Sequence, residues 1–235
     1  RGYGRAPTPR NSWVHPDCAG IDNKGIIMSS RSLKPLKALA LNATLKTSDK
    51  QSSTKKLLSY VETELHPFGV ETEHVLLTDF TIAPGVSSDE GGDDQWPELR
   101  QKIVEADIVL IGTPIWLGQP SSVCKRALER MDAFLSETDD KNRMPSYGRV
   151  AAVAVVGNED GAHHVSAELF QALNDVGFTL PANAVTYWVG EAMQSTNFID
   201  LDEIPDAVVT ATRLLAANCV HLAACLRNKP YPGFT

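Results

Sequence analysis

Two short, almost uniformly apolar runs, residues 106–112 and 150–156, constrain the fold of this chain more than any other feature. Runs of this length and composition are typical of central strands in a parallel sheet, which helices cover on both faces. Amphipathic stretches with apolar residues at helical spacing alternate with such runs, as in residues 57–65. The chain therefore belongs to the class in which strands and helices alternate.

The alternation gives a specific prediction of architecture. Strands are predicted at residues 36–41, 70–77, 106–112, 150–156 and 178–189, and helices around residues 57–65, 97–105, 120–135, 165–176 and 205–226. Right-handed crossovers place the helices on both faces of the sheet. The prediction is an α/β, flavodoxin-like three-layer sandwich with a five-stranded parallel sheet of order 2-1-3-4-5. In such a sheet ligands bind beyond the carboxyl ends of the strands, so the loops after strands one, three and four should carry the chemistry.

Composition divides the chain and excludes some functions. Residues 1–33 are rich in Pro, Gly, Ser and Arg, which predicts an N-terminal extension or arm, and residues 34–235 are predicted to form one flavodoxin-like domain. The formal net charge of −7 argues against a nucleic-acid partner. The sequence contains no uninterrupted apolar run near the length of a membrane span and no signal-peptide pattern, so a cytoplasmic protein with no membrane partner is expected. The four cysteines form no C-x-x-C, and no metal site is expected.

The first loop, residues 42–54, is crowded with hydroxyl groups. It carries six Ser or Thr residues and ends where a helix begins. Free N–H groups and the positive end of the helix dipole favour an anion there, and Lys46 adds a charge. Ser52 or Ser53 could instead only cap the helix, but one cap needs one hydroxyl, so a phosphate site is favoured. Neither a P-loop motif nor G-x-G-x-x-G follows this strand, which disfavours ATP, GTP and Rossmann dinucleotide sites.

The third loop combines an aromatic residue with aliphatic ones between two prolines. Ile115, Trp116 and Leu117 lie between Pro114 and Pro120. Such a stiff apolar ledge suits a planar ring, and backbone N–H groups near the following glycine can face ring heteroatoms. The alternative is that the tryptophan only packs over the end of the sheet.

The fourth loop, residues 157–161, has a glycine at each end, which lets backbone approach a ligand closely. Asn158 can hydrogen-bond the edge of a heterocycle. His163 is a possible substrate-side group, and the alternative for His163 and His164 is a solvated helix start. Because adjacent residues at a helix start point in different directions, a metal shared by the two histidines is not expected.

Together these segments resemble the NADPH-dependent FMN reductase and flavodoxin superfamily, particularly the WrbA-like flavodoxin-family proteins, over about residues 36–226. The most specific match is residues 106–116, which are similar to the strand and flavin-ring loop of that family. The resemblance implies FMN as the cofactor, bound by Thr44, Lys46, Ser52, Ser53, Thr54, Thr113, Pro114, Ile115, Trp116, Leu117, Gly118, Gly157, Asn158, Glu159, Asp160 and Gly161. Some relatives place a cysteine cluster after the second strand, whereas residues 82–92 hold no cysteine, so no iron–sulfur centre is expected.

The resemblance also implies an activity. The expected function is an FMN-dependent NAD(P)H oxidoreductase, in which a nicotinamide reduces the flavin and a quinone or other small acceptor takes the electrons. The flavin carries this chemistry, so no catalytic side chain is required. One alternative is a non-enzymatic electron carrier of the flavodoxin type, and another is a flavin-free member of the fold. A small-molecule acceptor and a homodimer or homotetramer are the expected partners.

Overall fold

The computed structural model describes residues 34–234. Its strands are β1 (Lys37–Asn42), β2 (Glu71–Leu76), β3 (Ile108–Trp116), β4 (Gln119–Pro120), β5 (Val150–Val156) and β6 (Val185–Trp188). Its helices are α1 (Ser53–Leu65), α2 (Trp96–Glu105), α3 (Ser122–Met131), α4 (Ala162–Asp175) and α5 (Asp206–Asn228). Short 3-10 helices lie at His66–Phe68, Leu77–Asp79, Asp132–Leu135 and Phe198–Asp200.

The strands lie in the order β2-β1-β3-β5-β6, all parallel, and β4 pairs antiparallel with the end of β3. Counted without β4, this is the predicted order 2-1-3-4-5, so the predicted fold class is confirmed. The register pairs Asn42 with Gly112 and Gly112 with Ala154. The carboxyl ends of the three central strands therefore meet at one edge of the sheet.

Side-chain alternation along the strands sorts the core into two layers. Leu39 and Leu41 of β1 pack in the apolar cluster that contains α2, α3 and α4, whereas Ala38 and Ala40 pack in the cluster of α1 and α5. Gly112 lets α1 lie close to β3, because a Cβ atom there would be 2.4 Å from the side chain of Leu58. This close approach brings the first turn of α1 to the sheet edge.

Two predicted elements differ from the structure. The third strand does not end at residue 112 but continues to Trp116 and turns back into β4. The last predicted strand, residues 178–189, is reduced to β6, with Thr179 making only an isolated bridge to Val150. Pro181 and the positive φ of Asn183 interrupt the extended backbone between them.

A buried ion pair fixes the long loop over residues 80–95. Arg130 on α3 and Asp94 have no exposed side-chain surface, and Arg130 Nη2 lies 2.7 Å from Asp94 Oδ2. Arg130 also donates to the carbonyl oxygens of Ala83 and Ser87, both at 3.0 Å, and lies over the Trp96 ring. The Arg130 hydrogen bonds hold the pKa of Asp94 well below its usual range, although burial acts in the opposite direction.

Helix α5 meets a length and hydropathy criterion for a membrane span, although polar residues interrupt its apolar sequence. It has 23 residues, and its most apolar window has a mean hydropathy of 1.4. One face packs in the core through Val208, Leu215 and Cys219, and Thr212 hydrogen-bonds Thr186 of β6 at 2.8 Å. Through these contacts α5 covers one face of the sheet with part of its surface, and 33% of its most apolar window is buried.

Candidate functional site

A cleft of about 160 Å³ opens where β1, β3 and β5 end. It brings together residues from all three loops that the sequence singled out, with others from the loop after β6. Its lining residues are Thr44, Leu45, Lys46, Ser52, Ser53, Thr54, Pro114, Ile115, Trp116, Val156, Gly157, Asn158, Asn197 and Phe198.

The first turn of α1 presents unpaired hydrogen-bonding groups at the cleft. Ser52 caps the helix, and its Oγ accepts from Lys55 N at 3.3 Å. Within residues 34–234, the N–H groups of Ser53 and Thr54 and the hydroxyl of Thr54 have no hydrogen-bond partner. Free N–H groups at the positive end of a helix are a site for an anion. The cap and the anion site therefore use different groups of the same turn.

Two residues of the preceding loop complete this end of the cleft. Thr44 is buried, and its Oγ1 lies 3.4 Å from the backbone nitrogen of Lys46. Lys46 Nζ donates to the carbonyl of Gln51 at 2.8 Å, which uses one of its three N–H donors. The ammonium group of Lys46 therefore places a positive charge at this end of the cleft, beside the start of α1, and keeps two donors for an anion.

The other end of the cleft is formed by a hairpin rather than by the irregular loop expected from the sequence. Leu117 and Gly118 have φ values of +52° and +74°, and the flanking residues Trp116 and Gln119 pair antiparallel. Positive φ at both central positions matches a type I′ turn. Trp116 lines the cleft and keeps 55% of its surface exposed, so it is not packed into the core.

The loop after β5 packs tightly on this hairpin. A Cβ atom at Gly157 would lie 3.0 Å from the side chain of Ile115, and one at Gly161 would lie 3.0 Å from the Cα of Gly118. The backbone nitrogen of Leu117 donates to a carboxylate oxygen of the fourth loop at 3.1 Å. The two loops therefore form one packed wall.

Several predicted site residues do not line the cleft. They are Thr113, Leu117, Gly118, Glu159, Asp160 and Gly161. Thr113 is buried, and its Oγ1 accepts from Ser121 N at 3.0 Å, which ties the hairpin to the start of α3. Glu159 provides the carboxylate that holds Leu117 N. These two residues support the packed wall, and their predicted contact with the cofactor stays a prediction.

His163 lies on the first turn of α4, outside the cleft lining. Its Nε2 is 3.1 Å from the hydroxyl of Tyr187, and the two rings meet edge to face. His164 points to Gln119 instead, with its Nε2 2.9 Å from the Gln119 amide nitrogen. Within the described residues, no group of three or more His, Cys, Asp and Glu side chains is placed to hold a metal ion.

Sequence reasoning missed the segment after β6. Asn197 and Phe198 line the cleft, and Asn158 Nδ2 is 3.4 Å from Asn197 Oδ1. Met193 N donates to the Asn158 carbonyl at 2.6 Å. The rule that ligands bind beyond the carboxyl ends of the strands applies to the last strand as well, and it would have identified this segment.

Hydrogen bonds and a cation–π contact hold the segment after β6 against α1. Lys56 Nζ donates to the carbonyl of Leu201 at 2.7 Å and to that of Ile199 at 3.3 Å, and it lies 5.4 Å from the centre of the Phe198 ring. The backbone nitrogen of Ile199 donates to Ser53 Oγ at 3.1 Å. The helix that offers the anion site thus also positions Phe198 in the lining of the cleft.

The family model for NADPH-dependent FMN reductase matches residues 36–194. The chain belongs to this family. It is therefore a flavoprotein and an FMN-dependent oxidoreductase. The predicted resemblance to the FMN reductase and flavodoxin superfamily is confirmed.

Two relatives are similar over most of the domain. The 8-demethyl-8-aminoriboflavin-5'-phosphate synthase of Streptomyces davaonensis is 34% identical over 206 residues, which cover 83% of this chain and 80% of that protein. The solved structure of RosB with bound 8-demethyl-8-formylriboflavin-5'-phosphate is 35% identical, with a TM-score of 0.78, and the match covers 84% of this chain and 82% of that chain.

Other matches carry less information. An NADH:FMN oxidoreductase structure, EMOB in its apo form, shares the fold with a TM-score of 0.59 at 16% identity over 85% of this chain and 94% of that one. The divalent metal cation transporter MntH of Mycobacterium bovis is 34% identical over 199 residues, which are 82% of this chain but only 29% of that protein. This chain therefore spans less than a third of the transporter.

Proposed function

We propose that the protein binds FMN in the cleft and passes electrons from NAD(P)H through it to a quinone or another small acceptor. The observation that carries the proposal is a set of unpaired groups at the start of α1, the N–H groups of Ser53 and Thr54 and the Thr54 hydroxyl, beside the exposed ring of Trp116. They fit a phosphate at one end of the cleft and a flat ring at the other. When bound, FMN supplies the electron-transfer chemistry.

The chain's own residues hold and shield the cofactor in this proposal. The start of α1, with Thr44 and Lys46, holds the phosphate, and Trp116 supports the ring. The cleft is smaller than the roughly 300–1,000 Å³ of typical ligand pockets, so it encloses only part of the cofactor. The ring then stays accessible to a nicotinamide and to an acceptor, with His163 and Tyr187 at the rim on the substrate side.

The proposal extends to the organisation of the chain. Residues 34–235 form the FMN domain, and the proposed arm, residues 1–33, lies outside the described residues. A homodimer or homotetramer in the cytoplasm remains the proposed state.

The direct test uses the purified protein and no partner protein. We expect it to take up FMN with the visible absorbance of bound oxidised flavin, and then to oxidise NADPH or NADH when a quinone is added. A protein that stays colourless in excess FMN contradicts the proposal. A protein that binds FMN but oxidises no nicotinamide without a partner favours the electron-carrier alternative.

The first relative supports a second candidate function, in which the flavin is substrate rather than cofactor. Its name describes riboflavin 5'-phosphate altered at position 8, and it is 34% identical to this chain over most of both proteins, against 16% for the NADH:FMN oxidoreductase. The two candidates differ in the fate of the flavin. We would incubate the protein with FMN and amino acids in air and measure the mass of the recovered flavin by mass spectrometry. A changed flavin mass supports the second candidate, and an unchanged flavin with nicotinamide turnover supports the first.

Replacing Trp116 tests the ring end of the cleft. We expect Trp116→Ala to weaken FMN binding by about 0.5–1.5 kcal/mol, the free energy typical of an aromatic pair, and to alter the fluorescence of the bound flavin. Trp116→Phe keeps a ring and should retain most of the affinity. Fluorescence titration measures both. If the alanine variant binds and fluoresces as the parent does, Trp116 is not part of the ring site.

Replacing Lys56 tests the segment that carries Phe198. Lys56→Met removes two hydrogen bonds to that segment, and we expect FMN affinity to fall by about 1 kcal/mol, or roughly fivefold. Lys55→Met is the matched control, since this exposed neighbour makes the same charge change on the same helix. Equal losses of FMN affinity in both variants would show a general effect of charge. No loss in Lys56→Met would show that the Lys56 hydrogen bonds do not shape the cleft.

A further inference from the structure

A second cavity lies at the opposite edge of the sheet from the cleft. Its volume is about 590 Å³, well within the range typical of ligand pockets. Arg149, which immediately precedes β5, lies in its wall, so the cavity is at the amino ends of the strands. Pro230 and Tyr231 of the C-terminal segment line one side of the cavity. The end of that segment is held by hydrogen bonds from Phe234 N to the Lys141 carbonyl at 3.0 Å and from Asn142 Nδ2 to the Phe234 carbonyl at 2.9 Å.

Three arginines line this cavity against two carboxylates. Arg100 is paired with Glu137, and Arg143 Nη2 lies 2.7 Å from Asp139. Arg100 still has a buried Nε–H without a hydrogen-bond partner among the described residues. The lining therefore keeps one positive charge in excess on a chain whose formal net charge is −7.

The excess charge belongs to Arg149. Its guanidinium donates to the carbonyls of Val104, at 2.8 Å from Nε, and Tyr147, at 3.2 Å, and no carboxylate of the described residues forms an ion pair with it. Asp107, whose charge acts on it, is itself paired with Arg227. Burial lowers the pKa of Arg149 from its ordinary value. A half-buried guanidinium with spare donors and no carboxylate is stabilised by an anion.

Aromatic rings stand beside this charge. Tyr147 and Tyr231 both line the cavity, with ring centroids 5.8 Å apart in an edge-to-face arrangement. The Tyr231 hydroxyl is 3.0 Å from Thr179 Oγ1, which fixes the position of that ring. Rings of this kind bind a flat, unsaturated ligand by stacking.

We propose that this cavity binds a small aromatic anion of the size and charge of a nucleoside monophosphate. The anionic group pairs with Arg149, and the base packs against Tyr147 and Tyr231. The site is separate from the flavin cleft, because the two lie beyond opposite ends of the strands. The proposal does not depend on the reaction catalysed in the cleft.

The test is calorimetric titration of the full chain saturated with FMN, so that the cleft is filled before the probe is added. AMP, adenosine and inorganic phosphate are titrated separately. We expect AMP to bind at one site and adenosine and phosphate each to bind at least about tenfold more weakly, since each lacks one of the two recognised parts. No AMP binding, or equal binding of AMP and adenosine, overturns the proposal.

Two variants place the binding in the cavity. Arg149→Lys keeps the charge but loses the planar fork, and Tyr231→Leu removes one ring, so each should weaken AMP binding by about tenfold. Arg213→Lys is the control, an exposed arginine that pairs with Glu64 outside the cavity. Should Arg149→Lys fail to fold, Tyr231→Leu alone decides the matter. AMP binding that survives in the Tyr231 variant, or that disappears as FMN is raised, overturns the proposal.

Discussion

Arg130→Met should lower the free energy of unfolding by about 3–5 kcal/mol, the cost typical of leaving one partner of a buried ion pair without the other. Asp94 would lose the partner of its buried charge, and the loop over residues 80–95 would lose the Arg130 hydrogen bonds to Ala83 and Ser87. Denaturant titration followed by circular dichroism measures the change. Arg126→Met, on the same helix, removes a single bond to the Ile82 carbonyl and serves as the control.

A second substitution should partly reverse the first. Asn at position 94 keeps an oxygen to accept from Ala83 N and Trp96 N but carries no charge. We therefore expect Arg130→Met with Asp94→Asn to be more stable than Arg130→Met alone. A double variant less stable than the single one would show that charge burial is not the main cost.

The same pair makes stability depend on pH. The folded pKa of Asp94 is depressed, so its contribution is present above the unfolded pKa of about 3.9 and is lost as pH falls below it. Between pH 7 and pH 3 the parent should therefore lose more stability than Asp94→Asn does. Parallel curves for the two proteins would contradict this assignment.

Removing the hydroxyls at the start of α1 should cost the most FMN affinity. Ser53→Ala with Thr54→Val should weaken binding by about 2 kcal/mol, or roughly thirtyfold, because each lost hydrogen bond to a phosphate contributes about 1 kcal/mol or more. Valine keeps the Thr54 methyl that faces Gly112, so the helix packing is retained. Fluorescence titration of FMN measures the loss, and Thr63→Val, on the same helix but away from the cleft, is the control.

Riboflavin, which lacks the phosphate, separates two explanations of that result. If the hydroxyls bind phosphate, the double variant should bind riboflavin as well as the parent does. Equal losses for FMN and riboflavin would show instead that the variant disturbs the whole cleft, for example through the Ile199–Ser53 hydrogen bond.

The sequence predicted the strand order and the sheet edge because these follow from local patterns. Residues 150–156 form a strand with the predicted limits, since a uniformly apolar run that is this short and rich in valine favours a covered strand over a buried helix. The first-loop hydroxyls were found for a similar reason, as they lie next to a helix start. These features depend on neighbours in the chain.

The features that the sequence did not predict depend on contacts between residues that are far apart in the chain. The hydroxyl of Thr113 accepts a hydrogen bond from Ser121 N at the start of α3, a contact that the sequence around Thr113 does not indicate. The β3–β4 hairpin needs Leu117 at positive φ, a conformation that leucine rarely adopts and that no composition rule indicates. The Arg130–Asp94 pair joins residues 36 positions apart, and nothing local to either residue identifies its partner.

The glycine contact between the two flavin-side loops sets the width of the proposed ring site. Gly161, with φ of +128°, lies so close to Gly118 that any side chain there would meet its backbone at about 3 Å. The absence of a side chain at Gly161 is thus what lets the two loops approach each other this closely. To admit a bulkier flavin, Gly161→Ala would be the first substitution to make, because its methyl group would push the two loops apart. Every residue that faces the ligand would stay unchanged.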